Sequence, residues 1–324
     1  MKAVFVNRYG GPEVLSYQDA PDPTPGSDEV LIRTEIANVN FADIKARRGT
    51  DSVTTSLPFI LGHEVVGTIE AVGAHVHSLR VGQRVTAVIT RGAYAELVAA
   101  PAALTFPLPE TLASEDAAGL VVLMTAFNVL TLAGRITPGE SVLVHAAAGG
   151  VGSTAIQFAK RLGAGLVIGT VGSDEKAKLV GDLGADHVIN YRREPLAARV
   201  LELTGGTGVD LILDSVGGST FDAGLRCLAP GGRVVIFGHT SGEPGHAPTT
   251  VLQEENRAVI GYRGRAYLTR RPEVMVQTAK AVLKRVTDGD IRLVIGARFP
   301  LREAAAAHRL VEQRESVGKV LLLP

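Results

Sequence analysis

The sequence predicts an α/β protein in two parts, a β-rich domain and a doubly wound parallel sheet. Three observations predict it. Residues 141–152, SVLVHAAAGGVG, carry an apolar run into a glycine cluster, and an amphipathic segment with Ala155, Ile156, Phe158, Ala159 and Leu162 on one face follows at once. Beyond it, short Val- and Ile-rich runs alternate with helical patterns to about Gly264. Before it, from Met1 to about Leu120, the chain is mostly short strands separated by turn clusters such as YGGPE and APDPTPGSDE.

Composition bounds the answer. A chain of 324 residues, 46% of them hydrophobic, is long enough for about two domains with sizeable cores. Lys plus Arg and Asp plus Glu are equal at 33 each, which argues against a nucleic-acid or acidic-membrane partner. The one cysteine, Cys227, excludes an internal disulfide and a cysteine-rich zinc site. Met1 leads into KAVFVNRYG with no apolar core of a signal peptide, and no apolar run approaches the length of a membrane span, so a cytoplasmic protein is expected. Glycines and prolines are scattered among turns, with no long linker.

In chain order, KAVFV, EVLIRTEI, EVVGTIEAVG, RVTAVI and AYAELV read as strands of a barrel-like domain, interrupted by a short helix from Phe41 to Arg48. The second part holds strands SVLVHAA, GLVIGTV, HVINY, VDLILDSV, GRVVIFG and AVIGYRG. Helices GVGSTAIQFAKRLG, DEKAKLVGDLG, PLAARVLELTG and STFDAGLRCLA lie between the first five, and a less regular crossover with TTVLQEEN precedes the sixth. Repeated βα units of this number make two mononucleotide-binding halves. A long helix from Pro272 to Asp288 follows, then short strands near LVIGARFPL and GKVLLLP with a helix, Arg302 to Arg314, between them. These strands are like those of the first part, so the C-terminus is expected to return to it, with a cofactor between the two domains.

The glycine turn suits a pyrophosphate. Gly149, Gly150, Val151 and Gly152 open a helix, whose first N–H groups are free and whose dipole is positive there. Gly149 and Gly150 allow close approach, and Gly152 lets the helix pack on its strand. The second strand ends at Val171-Gly172-Ser173, without the acid that grips a ribose 2′-OH in NAD-binding versions of this arrangement. Ser173 offers a hydroxyl, Lys176 a cation and Tyr191 a phenol, which favours NADPH; Asp174 and Glu175 stand beside Lys176 and can pair with it.

Nearly the whole chain resembles the zinc-free quinone oxidoreductase branch of the medium-chain dehydrogenase/reductase superfamily, the zeta-crystallin-like proteins. The motifs are GGPEVL (10–15), NFAD (40–43), GHEVVGTIEAVG (62–73), VGQRV (81–85), AAAGGVG (146–152), LGADHVINYR (183–192), DSVGG (214–218), LAPGGRVVIFG (228–238) and VGKVLLLP (317–324). The resemblance implies a GroES-like catalytic domain split between 1–122 and 265–324, an inserted Rossmann domain at 123–264 that binds NADPH, and a homodimer. It implies that Ser173, Lys176 and Tyr191 hold the 2′-phosphate, that Thr125, Ser215, Phe237 and Gly238 line the nicotinamide and adenosine ends, and that Asn40 and Lys319 stand near the nicotinamide ribose or the substrate. Zinc-dependent relatives have a cysteine where this chain has Asn40 and another near Val122 and Leu123; Gly62-His63-Glu64 survives, but one histidine with a carboxylate is not a zinc set. The pair His75 and His77 reads as an exposed turn.

Without zinc as Lewis acid, the substrate must accept hydride readily, as a quinone or a conjugated enone does. Asn40, with an amide donor, and Lys45, where many relatives carry a tyrosine, are the candidate catalytic groups; Tyr262 and Arg263 are further candidates for the same region. Two other readings stand beside this one: an enoyl thioester or enoyl carrier-protein reductase, and a low-turnover NADPH-binding protein with a structural or regulatory role.

Overall fold

The structure, a computed structural model, describes residues 1–51 and 56–324. Internal contacts divide the chain into two units, Met1–Val121 with Ala279–Pro324, and Val122–Thr278. Among the described residues no helix is long and apolar enough to cross a membrane.

The first unit opens with β1 (Lys2–Val6), β2 (Leu15–Asp19), β3 (Glu29–Val39), α1 (Phe41–Arg48), β4 (Phe59–Ile60), β5 (Glu64–Val72), β6 (Arg84–Val88), β7 (Leu97–Pro101), β8 (Thr105–Pro107) and α2 (Ser114–Ala117). Its organiser is β3. Val30, Ile32, Thr34 and Ile36 alternate inward while Arg33 and Glu35 face water, and the last four residues are all buried. The run AYAELV becomes a strand only from Leu97; upstream, Ala95 makes a single bridge to Ala3, because Tyr94 and Glu96 bond across to Val4, Leu61, Thr34 and Lys2 instead of forming a ladder.

The second unit takes most of α3 (Leu120–Asn128), then β9 (Ser141–Val144), α4 (Gly150–Arg161), β10 (Leu166–Val171), α5 (Asp174–Asp182), β11 (His187–Asn190), α6 (Leu196–Leu203), β12 (Val209–Asp214), α7 (Gly218–Arg226), β13 (Leu228–Ile236), α8 (Thr249–Glu254), β14 (Ala258–Gly261), α9 (Gly264–Arg270) and the first part of α10 (Pro272–Thr287). Its strands run in parallel in the order β11-β10-β9-β12-β13-β14, so the order reverses between β9 and β12. Leu143, Ile168 and Ile212 cover one face together with Phe221 and Leu225 of α7. On the opposite face a Cβ at Gly169 would lie 2.6 Å from Val180 and 3.0 Å from Ala147, so only glycine lets the chain pack this closely there. Residues 265–278 group with this unit rather than with the first. The cause is a buried junction: Asn128 donates to the Tyr262 hydroxyl at 3.1 Å and accepts from the Thr278 hydroxyl at 3.0 Å, with Met275 Sδ 3.6 Å away.

The chain then returns to the first unit through β15 (Ile295–Pro300), α11 (Ala304–Glu312) and β16 (Lys319–Leu323). There β16 pairs antiparallel with β3, Val320 opposite Val39, in a sheet ordered β15-β16-β3-β5-β6-β8 with β7 also on β3. The flanking helix is shorter than the expected Arg302 to Arg314, since residues Leu301–Glu303 form a tighter single turn ahead of it.

Candidate functional site

In the second unit the anticipated ligand-facing groups collect at the carboxyl ends of the strands. The turn after β9 is tight: Ala146 holds φ +50°, its carbonyl accepts from Gly149 N–H at 2.9 Å, and a Cβ on Gly152 would lie 2.3 Å from that same oxygen. Gly152 is therefore required for helix–strand contact. A Cβ on Gly149 would meet only that carbonyl, at 3.3 Å, which leaves this side of the turn open to a ligand. The first amides of α4, at Gly150, Val151 and Gly152, have no carbonyl within the helix to bond.

At the tip of β10, Ser173 caps α5 and accepts from Lys176 N–H at 3.4 Å. A Cβ on Gly172 would lie 2.7 Å from the Tyr191 hydroxyl and 3.5 Å from Arg192 Nε, so the phenol overlies Gly172 with a guanidinium beside it. Arg192 was not singled out from the sequence. The carboxylate of Asp174 is held elsewhere: one oxygen accepts from Asn190 Nδ2 at 2.7 Å, and the other pairs with Arg193 at 2.6 Å. Its own backbone N–H and the Ser173 hydroxyl hold the Glu175 carboxyl below its ordinary range.

The ends of β12 and β13 bring Ser215, Phe237 and Gly238 together. Phe237 N–H donates to Asp214 O at 2.9 Å, and a Cβ on Gly238 would lie 3.0 Å from Ser215 O. Thr125 sits half-buried on α3. Tyr262 does not offer its phenol to a ligand: it is buried, it accepts from Asn128, and burial raises it to about 12.

In the first unit, the β3–β16 pairing sets Lys319 beside Asn40. The Lys319 ammonium, 2% exposed, donates to Asn40 Oδ1 at 2.8 Å, Val39 O at 3.2 Å and Glu64 Oε1 at 3.4 Å. The Asn40 amide donates its two hydrogens to Glu64 Oε1 at 3.0 Å and Asn38 Oδ1 at 3.1 Å. The other Glu64 oxygen accepts from Val121 N–H at 2.8 Å. Burial lowers the lysine, against the pull of Glu64. Asn40 thus has no hydrogen left for a substrate oxygen, which counts against the donor role read from its residue type.

A second chain of bonds backs this cluster. Asp43, fully buried, accepts from Asn40 N–H at 2.8 Å, which also caps α1, from Gly62 N–H at 3.2 Å and from the Tyr94 hydroxyl at 3.3 Å. His63 Nε2 is 3.7 Å from the same carboxylate. Arg47 donates to His308 Nδ1 at 3.1 Å, so Nε2 carries the ring proton and donates to Tyr94 at 3.1 Å. Burial raises Asp43, and it raises Tyr94 well above its ordinary value. Lys45 is half-buried on α1. Sequence reading passed over Asn38, Tyr94, Arg47 and His308. Among the described residues no three His, Cys, Asp or Glu side chains converge as metal ligands, and His75 pairs with Asp28 at the surface.

Comparison with known proteins gives matches over the whole chain. Residues 26–110 match the family model described as alcohol dehydrogenase GroES-like domain, and residues 150–281 the one described as zinc-binding dehydrogenase. A quinone oxidoreductase of Pseudomonas aeruginosa is 40% identical over 333 residues, covering 100% of this chain and 99% of that one. A 2-haloacrylate reductase of Burkholderia sp. is 36% identical, covering 99% and 98%. The crystal structure of Escherichia coli quinone oxidoreductase complexed with NADPH superposes with a TM-score of 0.94 at 34% identity, covering 100% of both chains.

Proposed function

Because the chain belongs to the quinone oxidoreductase branch of the medium-chain dehydrogenase/reductase superfamily, we propose that it passes hydride from NADPH to a quinone or a conjugated enone without zinc. As a member of that branch it is an NADPH-dependent oxidoreductase. The observation that carries the cofactor choice is the tip of β10. No carboxylate stands at Gly172, a phenol and a guanidinium overlie it, and the nearest acid, Asp174, is engaged by Asn190 and Arg193.

NADPH supplies the hydride when bound. In this reading the amides of Gly150, Val151 and Gly152 hold its pyrophosphate, and Gly149, with no side chain, lets it come close. Ser173, Lys176, Tyr191 and Arg192 hold its 2′-phosphate. Thr125, Ser215, Phe237 and Gly238 line the rest. Asn40 and Lys319 act as positioning residues: their polar atoms face each other and Glu64, and together they fix the end of β3. Lys45 is assigned to offset negative charge on the reduced substrate oxygen.

The residues present do not fit zinc. Asn40 Oδ1 already holds an ammonium at 2.8 Å, a cation that repels another. His63 Nε2 is turned toward Asp43, and Val122 and Leu123 are buried and apolar. An acceptor that spreads charge over its own conjugation is therefore favoured. The name of the Burkholderia relative points the same way, since a 2-haloacrylate is a conjugated alkene. The same reading takes the protein as a cytoplasmic homodimer. Edge strand β14 pairs only with β13 among the described residues, and a second copy can extend that edge.

One assay tests the reading: NADPH oxidation with quinones, enones and enoyl thioesters, in strong chelator, with metal analysis and sedimentation on the same sample. Turnover of a quinone or an enone in chelator is expected, from a dimer. Turnover confined to thioesters overturns the substrate class, and tightly bound zinc lost together with activity overturns the zinc-free mechanism. NADPH binding without turnover of any acceptor returns the protein to a structural or regulatory role, and a monomeric mass removes the dimer.

A further inference from the structure

His145 and Asp214 follow directly on the two central strands' pairing, and neither has a part in the function proposed above. Leu213 lies opposite Val144, so Asp214 and His145 fall opposite each other one step on, with side chains on the same face. Gly169 also lies opposite Val144, which places Thr170 on the other side of His145, its hydroxyl 3.1 Å from Nδ1. This polar row is fully buried, next to the apolar row of Ile168, Leu143 and Ile212.

Two atoms of the row, His145 Nε2 and Asp214 Oδ2, have no hydrogen-bond partner among the described residues. Buried polar atoms seldom remain so. The second Asp214 oxygen is engaged: it accepts from Val216 N–H at 2.6 Å and Gly217 N–H at 3.1 Å. Those amides belong to the turn between β12 and α7, where Gly217 and Gly218 hold φ of +74° and +53°. A carboxylate held by one oxygen can still turn about its last torsion, which is broad and two-fold. A hold on the other oxygen stops that motion. The Nε2 edge is flanked by a glycine: a Cβ on Gly224 of α7 would lie 3.7 Å from Nε2 and 3.3 Å from Ile212 Cδ1, so Gly224 puts no side chain over that edge, and a methyl added there would cover it.

We propose that His145 and Asp214, bridged by one buried water beside Gly224, are a positioning pair that fixes the Ser215–Gly218 turn on which the cofactor rests. The Thr170 hydroxyl donates to Nδ1, Nε2–H donates to the water, and the water donates to Asp214 Oδ2. Burial holds the imidazole below its ordinary value against the opposing pull of Asp214, which keeps it neutral with a single ring proton. Only the consequence for NADPH depends on the function proposed above.

The test is made on the cofactor-free protein. Gly224→Ala is introduced with Ile212→Val, which removes the one close apolar contact. Within a helix such a change ordinarily stabilises. Here the methyl covers the Nε2 edge and crowds out the bridging water, so the unfolding midpoint is expected to fall relative to Ile212→Val alone. Amide exchange at Val216 and Gly217 is expected to rise about tenfold, as for the loss of one buried hydrogen bond. His145→Leu should do the same, and His145→Gln, which keeps an N–H donor, should restore slow exchange. A raised midpoint with unchanged exchange overturns the proposal. If His145→Leu does not fold, nitrogen shifts of wild-type His145 decide: a proton on Nδ1 overturns the pair, and one on Nε2 supports it. With the cofactor present, Gly224→Ala should raise the KM for NADPH several-fold and leave kcat. If exchange responds as expected but wild type binds no NADPH, the pair stands and the cofactor assignment falls.

Discussion

Two regions of this molecule hold similar side chains in opposite ways. At the tip of β10, Ser173, Lys176, Tyr191 and Arg192 stand half-buried or exposed around a glycine, and the neighbouring acid is drawn aside. At the end of β3, Asn38, Asn40, Glu64 and Lys319 are buried and turned on one another until little hydrogen-bonding capacity is left. The first arrangement leaves its side chains partly open to water. The second fixes a backbone and a local charge balance. Residue types suited to a site thus do not make one: at the end of β3 their polar atoms are already taken up by one another.

The contrast can be broken first by pH. Burial and the Arg47 guanidinium hold His308 down to about 3, against 6.5 for a free imidazole. On acidification the unfolded chain takes up the proton first. The contribution of this buried neutral ring is therefore complete above about pH 6.5 and is lost progressively as pH falls toward 3, by at most about 5 kcal/mol. Urea unfolding at pH 7 and pH 4 should show this slope, and His308→Gln, which can accept from Arg47 and donate to Tyr94, should flatten it. An equal slope in both proteins would show that the Arg47–His308–Tyr94 chain contributes nothing to acid sensitivity.

Removing a partner from the buried cluster comes next. Lys319→Met leaves Glu64 buried without its ammonium and is expected to cost about 3–5 kcal/mol of stability. A variant as stable as wild type, altered only in its KM for NADPH, would mean that Lys319 faces the cofactor after all, and the contrast between the regions would disappear.

The two regions were also unequally legible in the sequence. The glycine turn and the tip of β10 work through backbone and near-neighbour residues, so a local motif contains most of the site. Helix α1 was readable to the residue, because Asn40 and Asp43 cap its start and Gly49, at φ +71°, ends it. The cluster was named only in part. Asn40 and Lys319 are 279 residues apart, and only the antiparallel pairing of β3 with β16 makes them partners. No local pattern carries that information. Arg192 escaped because its closeness to Gly172 depends on how the loop after β11 folds back. The grouping of residues 265–278 with the second unit has the same character: Asn128 ties Thr278 and Met275 to it from far upstream.

At the tip of β10 the expected effects are smaller and selective. Lys176→Ala and Arg192→Ala should each raise the KM for NADPH about tenfold, the scale of one charge-assisted hydrogen bond. NADH lacks the phosphate, so its KM should stay near the wild-type value, while unfolding midpoints barely change. Equal effects on both cofactors would move these cations out of the phosphate site and make the region as structural as the buried cluster.

The smallest effect expected is a gain. Gly172 does not hold a left-handed backbone conformation, so an aspartate is allowed there, and its carboxylate can accept from the ribose 2′-OH of NADH. Its Cβ, however, would lie 2.7 Å from the Tyr191 hydroxyl, so the phenol must move first. Tyr191 is 44% exposed, and its ring can swing into water at modest cost. Gly172→Asp should therefore lower the KM for NADH only about threefold, since part of the new hydrogen bond is offset by displacing the ring. Removing the obstacle beforehand should release the remainder: Gly172→Asp with Tyr191→Ala is expected to improve NADH use further, while Tyr191→Ala alone affects only NADPH. The comparison is a double-mutant cycle on KM for NADH. A cycle that closes with no coupling between the two positions would show that the phenol does not overlie Gly172 in solution, and that the openness of this region comes from the missing acid alone.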